Sequence, residues 1–167
     1  YIYNRELKSL EPLSENVSQM LATFNPQGDK VAFVRDNNLY IKFLESDEER
    51  QLTNDGKFNH IINGGTDWVY EEEFSITKGF AWSPKGDKLA YYKFDESHVR
   101  QFNMNMFNRE LYPENYAYKY PKAGEENAYV DIYVHDLQME KLVKMDIGTE
   151  KDQYIPRIKW TPYNDKL

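Results

Sequence analysis

The sequence predicts an all-β chain assembled from a repeated four-stranded unit, the arrangement of blades in a β-propeller. Three observations lead there. FNPQGDKVAF (24–33) is matched by WSPKGDKLAY (82–91) and, over its first part, by WTPYNDKL (160–167). A second pattern follows each complete copy, LYIKFLESDEERQLT (39–53) and IYVHDLQMEKLVKM (132–145), with a shorter relative, IYNRELKSL (2–10). Finally, 14 Tyr and 9 Phe accompany short runs of Val, Thr and Ile, and no long stretch keeps the 3.6-residue apolar period of a helix. The competing fold is one β-sandwich whose turns are alike by accident. It would have to match Pro, Gly, Asp and Lys in the same order more than once.

The elements follow in chain order. Residues 1–23 read as the end of one blade and a connection. The 24–53 stretch reads as a blade: an aromatic strand end, a turn in which Pro presets φ and Gly tolerates positive φ, a second strand, then a hairpin. Residues 54–81 form an insertion between blades, 82–145 a second blade, and 146–167 the start of the next. Spacing locates the interruptions. Sixteen residues separate Phe24 from Tyr40, but 51 separate Trp82 from Tyr133. The surplus of 35 falls near 94–128 as an inserted arm. Its Phe102, Met104, Met106 and Phe107 would be exposed without a partner, or would pack on their own blade. About two complete blades plus partial ones are expected, with unpaired edge strands at the two ends that either pair with another copy or leave the piece marginally stable.

DWVYEEEF (67–74) falls in the insertion. Neighbouring side chains diverge on a strand, so adjacent Glu residues converge on one ligand only from a helical turn or an irregular segment. Convergence on one ligand therefore predicts a short helix or turn over 70–76, with Asp67 as N-cap and Glu71 favouring the helix dipole. An acidic triplet is ordinarily a solvated face. Trp68 and Tyr70 argue otherwise, because a solvated charge run does not need aromatic anchors. Carboxylates held close repel unless a cation sits between them, and an ammonium fits that role. Hard metal ions want more oxygen ligands than the segment offers, and no His stands at ligand spacing from it, so no metal or cofactor is expected.

Composition excludes several classes. Lys+Arg 21 against Asp+Glu 28 gives −7 with no basic cluster, so nucleic acid is not an expected partner. Without Cys there is no disulfide, thiolate metal site or Cys nucleophile. No apolar run approaches the ~20 residues of a membrane span, and the first residues match no signal or transit peptide. His60, His98 and His135 are scattered singly, and no G-x-S-x-G elbow occurs. Asn16-Val17-Ser18 matches the glycosylation acceptor pattern, which a single chance match also would.

DWVYEEEF, then FAWSPKGDKLAYYKFDES, then YKYPKAGEENAYVDIYV, together resemble the propeller domain of the dipeptidyl peptidase IV family over essentially the whole chain. The short loops and lack of Cys look like its bacterial members. DWVYEEEF with YPKAG (120–124) is specific, whereas the WSPKGDKLAY turn is common to many propellers. The resemblance implies a serine exopeptidase of the prolyl oligopeptidase clan that removes Xaa-Pro or Xaa-Ala dipeptides from free peptide N-termini, located in the cell envelope, periplasmic or surface. It implies that Glu72 and Glu73 bind the substrate's α-ammonium, that the 94–128 arm joins a homodimer, and that an α/β-hydrolase domain follows. On that reading the triad's Ser, Asp and His belong to the following domain, and a substrate-binding Arg lies upstream of Tyr1. The alternative is a propeller used only for protein binding, distinguished by a downstream G-x-S-x-G serine or its absence. Glycan binding through exposed aromatics has no sequence feature of its own.

Overall fold

The computed structural model describes residues 1–15, 18–163 and 166–167. Asn16 and Val17 of the acceptor triplet, and Asn164 and Asp165 of the third turn copy, lie outside the described residues. Among the described residues the chain is mostly β with one short helix. In order it forms β1 (Ile2–Asn4), β2 (Ser9–Glu11), β3 (Met20–Phe24), β4 (Lys30–Arg35), β5 (Asn38–Phe43), β6 (Glu49–Gln51) and β7 (Ile61–Asn63). Helix α1 (Trp68–Phe74) follows, then β8 (Phe80–Trp82), β9 (Lys88–Asp95), β10 (Gln101–Met106), β11 (Glu114–Lys119), β12 (Tyr129–Asp136) and β13 (Lys141–Lys144). Strands β3-β4-β5-β6 make one antiparallel sheet, and β13-β12-β9 continue into β7 in a second, with β8 also on β9.

The repeat recurs as hydrogen-bond geometry. In the first two turns the backbone N–H of Asn25 and of Ser83 donates to the carbonyl five residues on, at Lys30 and Lys88, at 2.9 and 3.0 Å; Thr161 donates to Lys166 at 2.9 Å. Gly28 and Gly86 take positive φ of 76° and 61°, the region a side chain resists. Side chains close each turn from within: Asn25 Oδ1 accepts from the N–H of Asp29 and Lys30, and Ser83 Oγ accepts from that of Lys88. Two tryptophans then join successive copies. Trp82 Nε1 donates to the Thr23 carbonyl at 3.1 Å, and Trp160 Nε1 donates to the Ala81 carbonyl at 3.0 Å. Thr23 and Ala81 each precede the aromatic of their own copy, so the same link is made twice.

Apolar side chains fill the spaces between these layers. Ala32, Val34, Leu39 and Ile41 of the first sheet meet Phe80, Leu89 and Tyr91 of the second in one core. On the first sheet's other face, Val31 and Phe33 pack with Leu13. The second sheet's far face buries Tyr92, Phe94, Val130 and Ile132 with Tyr70 of α1, and Ile147, Ile155 and Ile158 close over it. Central strands β4 and β9 are therefore buried on both faces, and they read as near-continuous apolar runs for that reason.

The helix leaves the second sheet at one point and returns to the same point. Strands β7 and β8 pair with opposite ends of the same edge of β9, Ile61 against Asp95 and Phe80 against Tyr91. Between them Gly64 N donates to the Tyr92 carbonyl, Tyr92 N to the Gly79 carbonyl, and Gly79 N to the Gly64 carbonyl, at 2.8–3.0 Å. This neck is narrow: a Cβ on Gly79 would lie 2.1 Å from the Gly65 carbonyl oxygen. Between β9 and β12 the chain leaves the sheet a second time, as the hairpin β10–β11, registered Gln101 to Lys119 through Met106 to Glu114. Among the described residues no helix is long and apolar enough to cross a membrane.

Candidate functional site at the Glu-bearing helix

Helix α1 begins two residues before the predicted 70–76 span. Asp67 Oδ1 accepts from Tyr70 N at 3.0 Å, which makes Tyr70 the third helical residue and places Trp68 directly after the cap. Asp67 is buried, and burial outweighs its backbone hydrogen bonds, pushing its carboxyl up to about 6. The helix ends at Ser75 in the left-handed region (φ 55°), where Ile76 N donates to the Tyr70 carbonyl at 3.1 Å. Thr66 Oγ1 reaches across both ends to donate to the Ile76 carbonyl at 2.6 Å.

Tyr70 fastens the helix to the protein. It is 3 % exposed, and its ring centroid lies 4.8 Å from Phe94, 5.1 Å from Phe74 and 5.9 Å from Tyr92. Its hydroxyl accepts from Ile155 N at 2.7 Å while the Tyr92 hydroxyl donates to the Ile155 carbonyl at 2.9 Å. The backbone N–H and carbonyl of Ile155 are thus held by two tyrosines whose rings meet edge to face. The same segment brings Tyr154 against Phe74, at 5.4 Å.

A cleft of about 750 Å³ opens between the helix and the turn at 120–125. Trp68, Val69 and Glu73 line one side, Tyr120 and Lys122 the other, and Asn127 and Tyr154 complete it. Asn127 Nδ2 donates to the Tyr154 hydroxyl at 2.8 Å. Glu71, Glu72 and Glu73 are all exposed, and none enters an ion pair among the described residues. Of the two residues expected to bind an ammonium, Glu73 is in the cleft wall. Glu72 is exposed and is not one of the lining residues. Residues four apart stack on one helix face, so Glu72 follows Trp68 and Glu73 follows Val69 on the cleft side. Glu71, about 200° before Glu73 around the axis, points elsewhere.

One further carboxylate lies behind the helix. Glu96, where β9 gives way to the hairpin, is 7 % exposed. Burial first, and then the charge of Asp67, push its carboxyl up to about 7, with Lys119 opposing. Sequence reasoning named Asp67 but not Glu96, Tyr154 or Asn127. No local pattern marks those three, because each meets the helix only through the fold.

The comparisons with known proteins agree with this architecture. The family model described as the dipeptidyl peptidase IV (DPP IV) N-terminal region matches residues 1–167. A "probable dipeptidyl-aminopeptidase B" of Phaeosphaeria nodorum is 36% identical over 178 residues, covering 96% of this chain and 19% of that protein. The dipeptidyl aminopeptidase B of Saccharomyces cerevisiae is 38% identical over 143 residues, 83% of this chain and 17% of its own. The crystal structure of Porphyromonas gingivalis dipeptidyl peptidase 4 superposes with a TM-score of 0.90 at 45% identity, covering 96% of this chain and 23% of that one. The chain therefore spans about a fifth of the relatives it matches. With its Trp-linked sheets as blades of a β-propeller, it belongs to the dipeptidyl peptidase IV N-terminal region family.

Proposed function

We propose that this region gates substrate for a serine exopeptidase that releases Xaa-Pro and Xaa-Ala dipeptides, with Glu72 and Glu73 holding the substrate's α-ammonium. The observation that carries the reading is the helix: Glu73 lines a cleft with Trp68 and Val69, with exposed Glu72 beside it, on a turn capped and pinned from behind. Two unpaired anions on a rigid support suit a group with three N–H donors and one positive charge. An ammonium about 4 Å from a carboxylate gains several kcal/mol at an effective dielectric near 20, less the cost of desolvation. A chain continuing past the substrate's N-terminus would run into the helix, so the pair counts two residues from the free end. The parent protein then carries an α/β-hydrolase domain after this region, forms a homodimer through the 94–128 arm, and works in the cell envelope, periplasmic or surface. The relatives' names as dipeptidyl peptidases support the peptidase class.

The test uses the full-length protein. Glu72→Gln and Glu73→Gln should each lower kcat/KM for a free-amine Ala-Pro anilide by about 30- to 1,000-fold, on the order of 2 to 4 kcal/mol. Acetylating the substrate amine should cost the wild type a similar factor. Unchanged hydrolysis in both variants would remove the ammonium reading. A parent with no downstream nucleophilic serine would point to a protein-binding propeller instead.

A further inference from the structure

Trp68 and Tyr120 face each other with ring centroids 4.1 Å apart, tilted by 57°. They belong to different excursions from the same sheet, Trp68 to the helix and Tyr120 to the residue after β11, the returning strand of the hairpin. Both line the cleft that contains Glu73. The root of the hairpin is itself fastened. Glu96 N donates to the His60 carbonyl at 2.8 Å and Tyr120 N to the Arg100 carbonyl at 3.0 Å. Lys119 Nζ donates to the carbonyls of Ser97 and Val99 at 3.0 and 2.6 Å, and Asn59 Nδ2 to that of Ala117 at 2.9 Å. Tyr120 is thus a fixed wall. Trp68, at the start of a seven-residue helix, rests against it, and Glu72 lies one turn further along the same face.

We propose that Tyr120 is a positioning residue for the Glu-bearing helix: through the Trp68 ring the hairpin root sets where the carboxylates stand, and so couples the hairpin to amine recognition. The inference rests on the ammonium-binding reading above. On this reading Tyr120 acts through its contact with Trp68. Its removal therefore weakens only what the helix orients. An aromatic pair of this kind is worth about three- to tenfold in an equilibrium constant.

The experiment measures inhibition of the full-length protein by a product dipeptide, Ala-Pro, and by its des-amino analogue, propionyl-Pro. In Tyr120→Ala the inhibition constant of Ala-Pro should rise about three- to tenfold while that of propionyl-Pro stays put, with Tyr120→Phe keeping the wild-type value for Ala-Pro. Light scattering should show the same oligomeric state in all variants. Equal rises for the two inhibitors, or none, overturn the proposal, as does a Phe variant that loses the wild-type value for Ala-Pro. If Tyr120→Ala does not fold by circular dichroism, Tyr120→Leu, which keeps apolar volume without the ring, takes its place. Glu73→Gln separates the two failures. If it leaves the ratio of the two constants unchanged, the ammonium reading itself falls. If it collapses the ratio and Tyr120→Ala does not, only the positioning role falls.

Discussion

The two excursions from the second sheet are opposite solutions to inserting chain into a repeat. The helix excursion is closed and buried at its base: a glycine neck, a buried cap at Asp67, and a Tyr70 whose ring and hydroxyl are both engaged. The hairpin excursion is open. Every residue of β10 is exposed, and Phe102, Met104, Met106 and Phe107 are 36%, 40%, 39% and 64% exposed. A two-stranded ribbon is marginal alone, and an apolar face left open in this way is the surface that the proposed dimer would use. The difference teaches that precise placement and surface recognition make contrary demands. The first needs buried contacts within the chain, and the second leaves them unmade.

The sharpest way to break the comparison is at the neck. Gly79→Ala should destabilise by about 3 kcal/mol or more, because its Cβ meets backbone and no flexible side chain can yield. Chemical denaturation followed by fluorescence measures it, and near-wild-type stability would mean the neck is not rigid.

Acidity offers a smaller lever on the same base. Glu96 and Asp67 are both raised, to about 7 and about 6, mainly by burial. A carboxyl raised in the fold binds protons there that the unfolded chain has already lost, so stability falls as pH rises from about 4 to about 7 and the loss is complete above that. The other charges bearing on Glu96 are Asp95 and Lys119. Glu96→Gln should flatten this slope and leave the protein more stable than wild type at pH 8 by on the order of 1 to 2 kcal/mol. A slope unchanged by the substitution would show that Glu96 is not its source.

Tyr70→Phe keeps the ring and removes the acceptor for Ile155 N, for an expected loss of about 1 to 2 kcal/mol in urea unfolding. Tyr112→Phe, on the 79% exposed side chain between the hairpin strands, should do nothing measurable. Met104→Ser with Phe107→Ser should likewise change stability little, within about 0.5 kcal/mol. Light scattering on the full-length protein should nonetheless show a lower mass if the hairpin is the proposed dimer contact.

Much of this was legible because it is local. Pro26 and Pro84, Gly28 and Gly86, and Asp29 and Asp87 write the two turns within six residues each, and the same backbone bonds result. Asp67 before an aromatic and acidic run announced a capped helix. Its start was misplaced by two residues, because the cap's bond to Tyr70 N begins the helix at once. Glu72 and Glu73 stood out as adjacent charges beside aromatics, and the helical row on which each falls follows from counting. The partners of those residues were not legible. Ile155 lies 85 residues from Tyr70 along the chain, and Tyr120 lies 52 from Trp68.

By itself, the sequence determined the β architecture, its repeated turns and the capped acidic helix, since each rests on dihedral preferences and side-chain hydrogen bonds within a few residues. Only the tertiary structure decided that Glu96 is buried behind the cap, that Tyr154 and Asn127 share a cleft with Glu73, and that Trp68 leans on the root of the hairpin. Those outcomes depend on how the blades stack. Stacking is settled by apolar area buried between strands far apart in the chain, a quantity that no short stretch of sequence contains.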